Sequence, residues 1–134
     1  MPVYQNSQQL YDGLRELLTT IEMDFPESVQ IISKSCLIMR MRCNNPFAEV
    51  SINGRHNPAK IIYGPSKLRP DIEIELSADT LHKILLGEFP LSKALAAGEL
   101  RVRGPVLKSF IFQDIFHRGQ SIYPEICKNI GVNA

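Results

Sequence analysis

Apolar residues recur at helical spacing near the start of the chain. Leu10, Leu14, Leu17, Leu18 and Ile21 follow Asn6 or Ser7, either of which caps well, and predict an amphipathic first helix. Gly13 weakens that helix by roughly 1 kcal/mol relative to Ala. Met23-Asp24-Phe25-Pro26 breaks the pattern, because Pro restricts the residue before it and cannot continue a helix. The period then changes to two. Residues 29–33 and 37–43 predict strands separated by a Lys34-Ser35 turn; in the second, Leu37, Met39, Met41 and Cys43 take the core face and Ile38, Arg40 and Arg42 the other. Asn44-Asn45-Pro46 signals a turn, residues 47–52 a third strand and 59–63 a short fourth. The turn between those two falls at Asn53-Gly54 or at His56-Asn57-Pro58.

Residues 71–104 read as strand, helix, short helix and strand. Ile72, Ile74 and Leu76 point one way and Glu73 and Glu75 the other; Leu100 and Val102 face in while Arg101 and Arg103 face out, so pairing matches acid to base. Arg40 and Arg42 extend this into a basic row of four. Alternation makes the face solvated, with exposed pairs worth about 0 to 1 kcal/mol each; docking of an acidic partner, or of a phosphate such as a coenzyme A tail, is the minor reading. Ser77 is an N-cap, Asp79 lies in the first turn, Leu81, Ile84 and Leu85 mark one helical face, and Gly87 ends it. Gly98 is expected at positive φ where the short helix enters the last strand.

Pro105 suits the first turn of a helix over 106–117. Val106, Leu107, Phe110, Ile111 and Ile115 cover about half its circumference at 100° per residue, and Phe112 and Phe116 form a second stripe. A helix apolar on two sides must hide both. One side meets the sheet; the other needs a ligand, a partner subunit or the last segment, 121–130, read as a separate helix with Pro124 near its start and Ile126, Cys127 and Ile130 on one side. Clustered strands with segregated helices are the α+β signature.

Gly87, Ala94, Gly98, Leu100, Val102 and Gly104 form the pattern G-x6-A-x3-G-x-L-x-V-x-G. It resembles the sterol carrier protein type-2 family, in which an apolar helix ends in Gly, a short Ala-containing turn follows and a Gly-flanked alternating strand comes next. Pro105 stands where many members have Asp or Asn. The resemblance implies a single domain over 1–134. Its fold would be an about five-stranded mixed sheet covered by helices, with a hydrophobic cavity between them for sterols, fatty acyl groups and similar lipids.

Charge and candidate chemistry narrow the function. With 134 residues, 15 Lys and Arg against 14 Asp and Glu, and a net charge of +1, nothing suggests nucleic-acid binding by bulk attraction. Three cysteines, Cys36, Cys43 and Cys127, lack close pairs, which argues against metal sites and a disulfide framework and for a reducing compartment. No stretch approaches the roughly 20 apolar residues of a membrane span, and no secretory h-region is seen. Gly131-Val132-Asn133-Ala134 is not a Ser-Lys-Leu-type signal, so the expected location is cytoplasmic.

His56 sits in a turn, His82 on the polar face of a helix and His117 at a helix C-terminus, each with a structural explanation. An enzyme would require one of them at a cavity mouth beside a carboxylate. No catalytic group, cofactor or metal is expected. The functional signal is apolar excess at Leu81, Leu85, Phe89, Leu95, Phe110, Phe112, Phe116 and Ile126, the candidate ligand-binding residues. The expected function is non-catalytic binding or transfer of a hydrophobic small molecule of lipid, sterol or fatty acyl class. The alternative is a protein-interaction module or accessory subunit of a lipid-modifying enzyme complex, with the apolar stripe buried in a homodimer or against a protein partner.

Overall fold

The computed structural model describes residues 2–105 and 110–133. Its sheet is built on β1 (Ile38–Asn44), which pairs antiparallel with β2 (Ala48–Asn53) on one side and parallel with β4 (Ile72–Ser77) on the other. β3 (Lys60–Tyr63) extends the sheet beyond β2 and β5 (Leu100–Arg103) beyond β4, giving the order β3-β2-β1-β4-β5. The helices are α1 (Ser7–Asp24), α2 (Pro26–Ser35), α3 (Ala78–Leu85), α4 (Leu91–Ala96) and α5 (Phe110–Ile130). The α+β class and the five-stranded mixed sheet agree with the sequence reading.

Register decides what each face carries. Met39 lies opposite Ile52 and Ile72, Met41 opposite Val50 and Ile74, and Cys43 opposite Ala48 and Leu76, so these residues share the face packed by α1, α3 and α5. The helices form as their local sequences require. Asn6 caps α1 by accepting from the Gln9 N–H at 2.9 Å, and Ser77 caps α3 by accepting from the Thr80 N–H at 3.0 Å. Leu10, Leu14, Leu17, Leu18 and Ile21 are all buried along α1. Gly13, a weak point in an isolated helix, has a packing reason: a Cβ there would come within 2.9 Å of the Ile130 side chain of α5. Gly98 has φ +76° as expected, in the turn from α4 into β5.

Three expectations are corrected. Residues 29–33 are not a strand but the middle of α2, and Lys34-Ser35 is its last turn rather than a hairpin. Pro26 occupies the first turn, where its fixed φ starts a new helix at once; Glu27 and Lys34 complement the dipole, and Ser28 and Ile32, four apart, are buried together. The β-branched run there is overridden by this packing. Residues 121–130 are not a separate helix: α5 runs unbroken through Pro124. Proline in a helix interior costs about 3 kcal/mol, and burial of Tyr123, Ile126 and Cys127 around it offsets that cost. Of the helix expected over 106–117, Val106, Leu107, Lys108, Ser109 and the side chain of Phe110 lie outside the described residues.

The third correction concerns the charged face of the sheet. Glu75, Arg101 and Arg103 reach solvent, but Arg40, Glu49 and Glu73 do not; their side chains are only 8%, 4% and 9% exposed. Arg40 lies 3.5 Å from Glu49 and 3.6 Å from Glu73, and its Nη2 donates to the carbonyls of Ser66 and Leu68. Glu49 in turn accepts from the Ser66 N–H at 3.1 Å. The loop between β3 and β4 is thus drawn over the centre of the face, where alternation alone predicted water. Arg42, whose side chain is 39% exposed, also reaches Glu49 at 3.2 Å and Glu73 at 3.9 Å, so removing Arg40 leaves two buried carboxylates sharing one half-exposed cation; Arg40→Ala is expected to cost about 3 kcal/mol in urea unfolding. Charge reversal at exposed Arg101 should change stability by less than about 1 kcal/mol; equal effects at the two sites would contradict the burial assignment.

Candidate ligand cavity

The inner face of the sheet does not meet its helices everywhere. A void of about 40 Å³ remains between them, lined by Leu14, Leu17 and Leu18 of α1, Met39 and Met41 of β1, Val50 and Ile52 of β2, Leu81 and Leu85 of α3, and Phe112, Ile115 and Phe116 of α5. Helical spacing brings the α1, α3 and α5 residues to one side, and strand alternation brings the others to the opposite side. No lining side chain carries a nitrogen or oxygen. Such a space excludes charge and polar chemistry and favours hydrocarbon.

A second cavity of about 120 Å³ lies beside the first, between α4, β5 and α5, with Leu91, Leu95, Leu100 and Val102 among its walls. Phe112 and Phe116 line both spaces. The two rings therefore form a partition, one turn apart on α5. Phe116 also borders a third, outer groove between α4 and α5.

The sequence-derived candidates distribute unevenly over this geometry. Leu81, Leu85, Phe112 and Phe116 converge on the inner void. Leu95 lines the second cavity and is 46% exposed, which puts it at a mouth rather than in the core. Phe89 is half-buried between α3 and α4 and lines neither space, and Ile126 is buried about 15 Å farther along α5 than Phe116. Met39 and Met41, assigned by the sequence reading only to core, the α1 leucines, read as one amphipathic stripe, and Val50 and Ile52, given no face, also line the void. Their alternation and helical spacing were visible; nothing local distinguishes a core contact from a cavity wall.

No protein-family model matches the chain, and no curated protein matches it by sequence. Solved structures do match. The sterol carrier protein domain 2 of Helicoverpa armigera superposes with a TM-score of 0.65 at 18% identity, over 84% of this chain and 89% of that one. The chain has the sterol carrier protein 2 fold. The apo form of sterol carrier protein 2 from Yarrowia lipolytica gives a TM-score of 0.62 at 18% identity, covering 87% of this chain and 95% of its own. The palmitated SCP2L2 protein of Aedes aegypti gives 0.51 at 11% identity, over 68% and 89%.

Within this sterol carrier protein 2 fold, the titratable groups stand apart from the apolar void. His82, placed on the polar face of its helix by sequence, is in fact 6% exposed. Its Nδ1 lies 2.6 Å from the Tyr123 hydroxyl, which is hydrogen-bonded to the hydroxyl of Tyr4. The three side chains tie the segment before α1 to α3 and α5. Burial pushes the Tyr4 phenol up to about 12 and raises Tyr123 and Cys127 as well, so these groups stay protonated and act as structural hydrogen-bonding or packing groups. His117 and Asp114 both border the outer groove, but the carboxylate faces Arg118 at 3.9 Å, and no hydrogen bond among the described residues joins it to His117. Among the described residues no group of three His, Cys, Asp or Glu is placed to hold a metal ion, and no helix is long and apolar enough to cross a membrane.

Burial lowers the His82 pKa from its ordinary value, against the opposing pull of the Glu88 and Asp79 carboxylates and the Asn133 backbone. Above about pH 6.5 both folded and unfolded His82 are neutral; below it the unfolded chain takes up a proton that the folded protein resists. Stability should therefore fall as the pH drops from 7 to 5, and more steeply in the parent than in His82→Gln, as followed by urea midpoints. Parallel profiles would show that His82 does not titrate differently in the two states.

Proposed function

We propose that this protein binds a hydrophobic small molecule of the lipid or fatty acyl class in the space between its sheet and α1, α3 and α5, without catalysing a reaction on it. The observation that carries this reading is the inner void itself, walled entirely by apolar side chains and sharing Phe112 and Phe116 with a second, mainly apolar cavity. The likeness in fold to a palmitated protein supports it.

The inner void holds about 40 Å³ and the second about 120 Å³, whereas small-molecule sites span roughly 300–1,000 Å³. Binding of a chain therefore requires the space to open, by rotation of the Phe112 and Phe116 rings and outward movement of α4 or α5. Binding is driven by desolvation, at roughly 25 cal/mol per Å² of apolar surface buried, less the cost of opening the partition. With no polar group in the wall of the inner void, discrimination among hydrocarbon shapes there is low.

Saturable binding of a fluorescent fatty acid or sterol is expected for the parent, and Phe112→Gln or Phe116→Gln should weaken it at least about tenfold in a monomer, since each ring contributes some 1.5–3 kcal/mol of burial. A change in association state with binding intact would favour a subunit or partner surface instead. A buried glutamine can simply unfold the domain. Val50→Phe therefore provides an apolar alternative that fills the void at an overpacking cost of about 1–3 kcal/mol. Binding unchanged in folded Val50→Phe and Phe116→Gln proteins contradicts the cavity.

A further inference from the structure

We propose that the protein docks on an anionic lipid bilayer through the outer face of its sheet, tilted onto the β5 edge, and that the bound chain passes directly between that bilayer and the second cavity. The inference rests on the cavity reading above and adds the surface from which the cavity is filled. β5 is the last strand of the sheet, and its two faces differ. Leu100 and Val102 line the second cavity, together with Leu91 and Leu95 of α4. Arg101 and Arg103 alternate with them onto the outer face and are exposed. A hydrocarbon mouth and two cations thus lie on the two sides of one strand.

Charge is segregated over the molecule. Residues 38–77 and 100–103, the strands with the loops between them, hold eight Lys and Arg against four Asp and Glu, while the rest of the chain holds seven against ten. Burial sharpens the contrast. Lys60, Lys67, Arg69, Arg101 and Arg103 are all exposed, whereas none of the four acids is: Glu49 and Glu73 are buried around Arg40, Glu75 is half-buried opposite Arg101, and Asp71 is paired with Arg55 at 3.4 Å. Glu99, exposed in the turn before β5, opposes this charge at one corner. The apolar part of the surface sits at the same edge. Of the exposed large hydrophobics among the described residues, Met23, Ile31, Phe47 and Leu95, it is Leu95 that borders the cavities described above. A bilayer meets both features. Its anionic headgroups attract cations spread over a face, and its interior supplies a hydrocarbon chain to the mouth without passing that chain through water. The outward positions of the five strands carry no aromatic ring, so they offer neither a platform for stacked bases nor the aromatic anchor of a protein interface.

The test is co-sedimentation of the full chain, at about 0.1 M salt, with vesicles of phosphatidylcholine alone and of phosphatidylcholine with a third phosphatidylglycerol. The parent should bind the anionic vesicles at least about tenfold more tightly. Arg101→Glu/Arg103→Glu should lose most of that preference, whereas Lys34→Glu/Lys128→Glu, the same change in net charge made on α2 and near the end of α5, should keep it. The chain has no tryptophan, so Leu95→Trp reports on the mouth alone: its emission should shift to the blue on anionic vesicles and be quenched by brominated acyl chains. No preference for anionic vesicles, an equal loss in the two double substitutions, or emission from Leu95→Trp that stays unchanged on bound vesicles overturns the docking surface. The cavity reading is scored separately, by titration with the fluorescent fatty acid in the absence of vesicles, which should saturate in the parent and in both double variants alike. A parent that does not saturate overturns the cavity reading, and this inference with it.

Discussion

Arg40, held between Glu49 and Glu73 and roofed by the Ser66 and Leu68 carbonyls, is the contact on which the rest of the fold turns. It sits on β1, which has neighbours on both sides, so fixing its direction fixes the register of three strands at once. A strand alternates faces: with Arg40 outward, Met39 and Met41 must point inward, and a slip of one residue would drive a guanidinium among the leucines of α1. The polar network on one face and the apolar void on the other are thus two consequences of a single register.

The void exists because α5 has more apolar surface than the sheet can take. Ile111 and Ile115 are buried along one side of the helix, and Phe112 and Phe116 are buried along the next; the aromatic pair reaches the partition between two cavities without filling either. Large aromatic rings bury much area but pack with fixed geometry, and gaps at their edges persist where smaller side chains would have closed them. The Tyr4–Tyr123–His82 cluster anchors the far half of α5 to α3 and to the segment before α1.

Much of this was legible in the sequence where one period dominated. β1, β4 and β5 followed from alternation, β2 from the turn signal before it, α1 from its leucine spacing, and the Gly87-to-Gly104 framework from spacing that the fold reproduces. The misses share a cause in long-range packing. Residues 29–33 have strand-forming side chains, yet Pro26 and the burial of Ser28 and Ile32 make them helix. Arg40 read as solvated because the loop that covers it is 26 to 28 residues away, Glu73 because its ion pair with Arg40 joins distant strand positions, and His82 read as exposed because its partner Tyr123 lies 41 residues on. For the site, the sequence gathered the α3 and α5 residues but not the β1, β2 and α1 walls, since a cavity is a failure of close packing and leaves no local pattern.

Whether the apolar space opens to hold a lipid is tested most directly by native mass spectrometry of the freshly purified 15.1 kDa chain, followed by organic extraction of whatever is released. A monomer carrying a stoichiometric adduct that extracts as a lipid is the predicted result. A ligand-free chain, monomeric or dimeric, that stays ligand-free after incubation with lipid vesicles would contradict it.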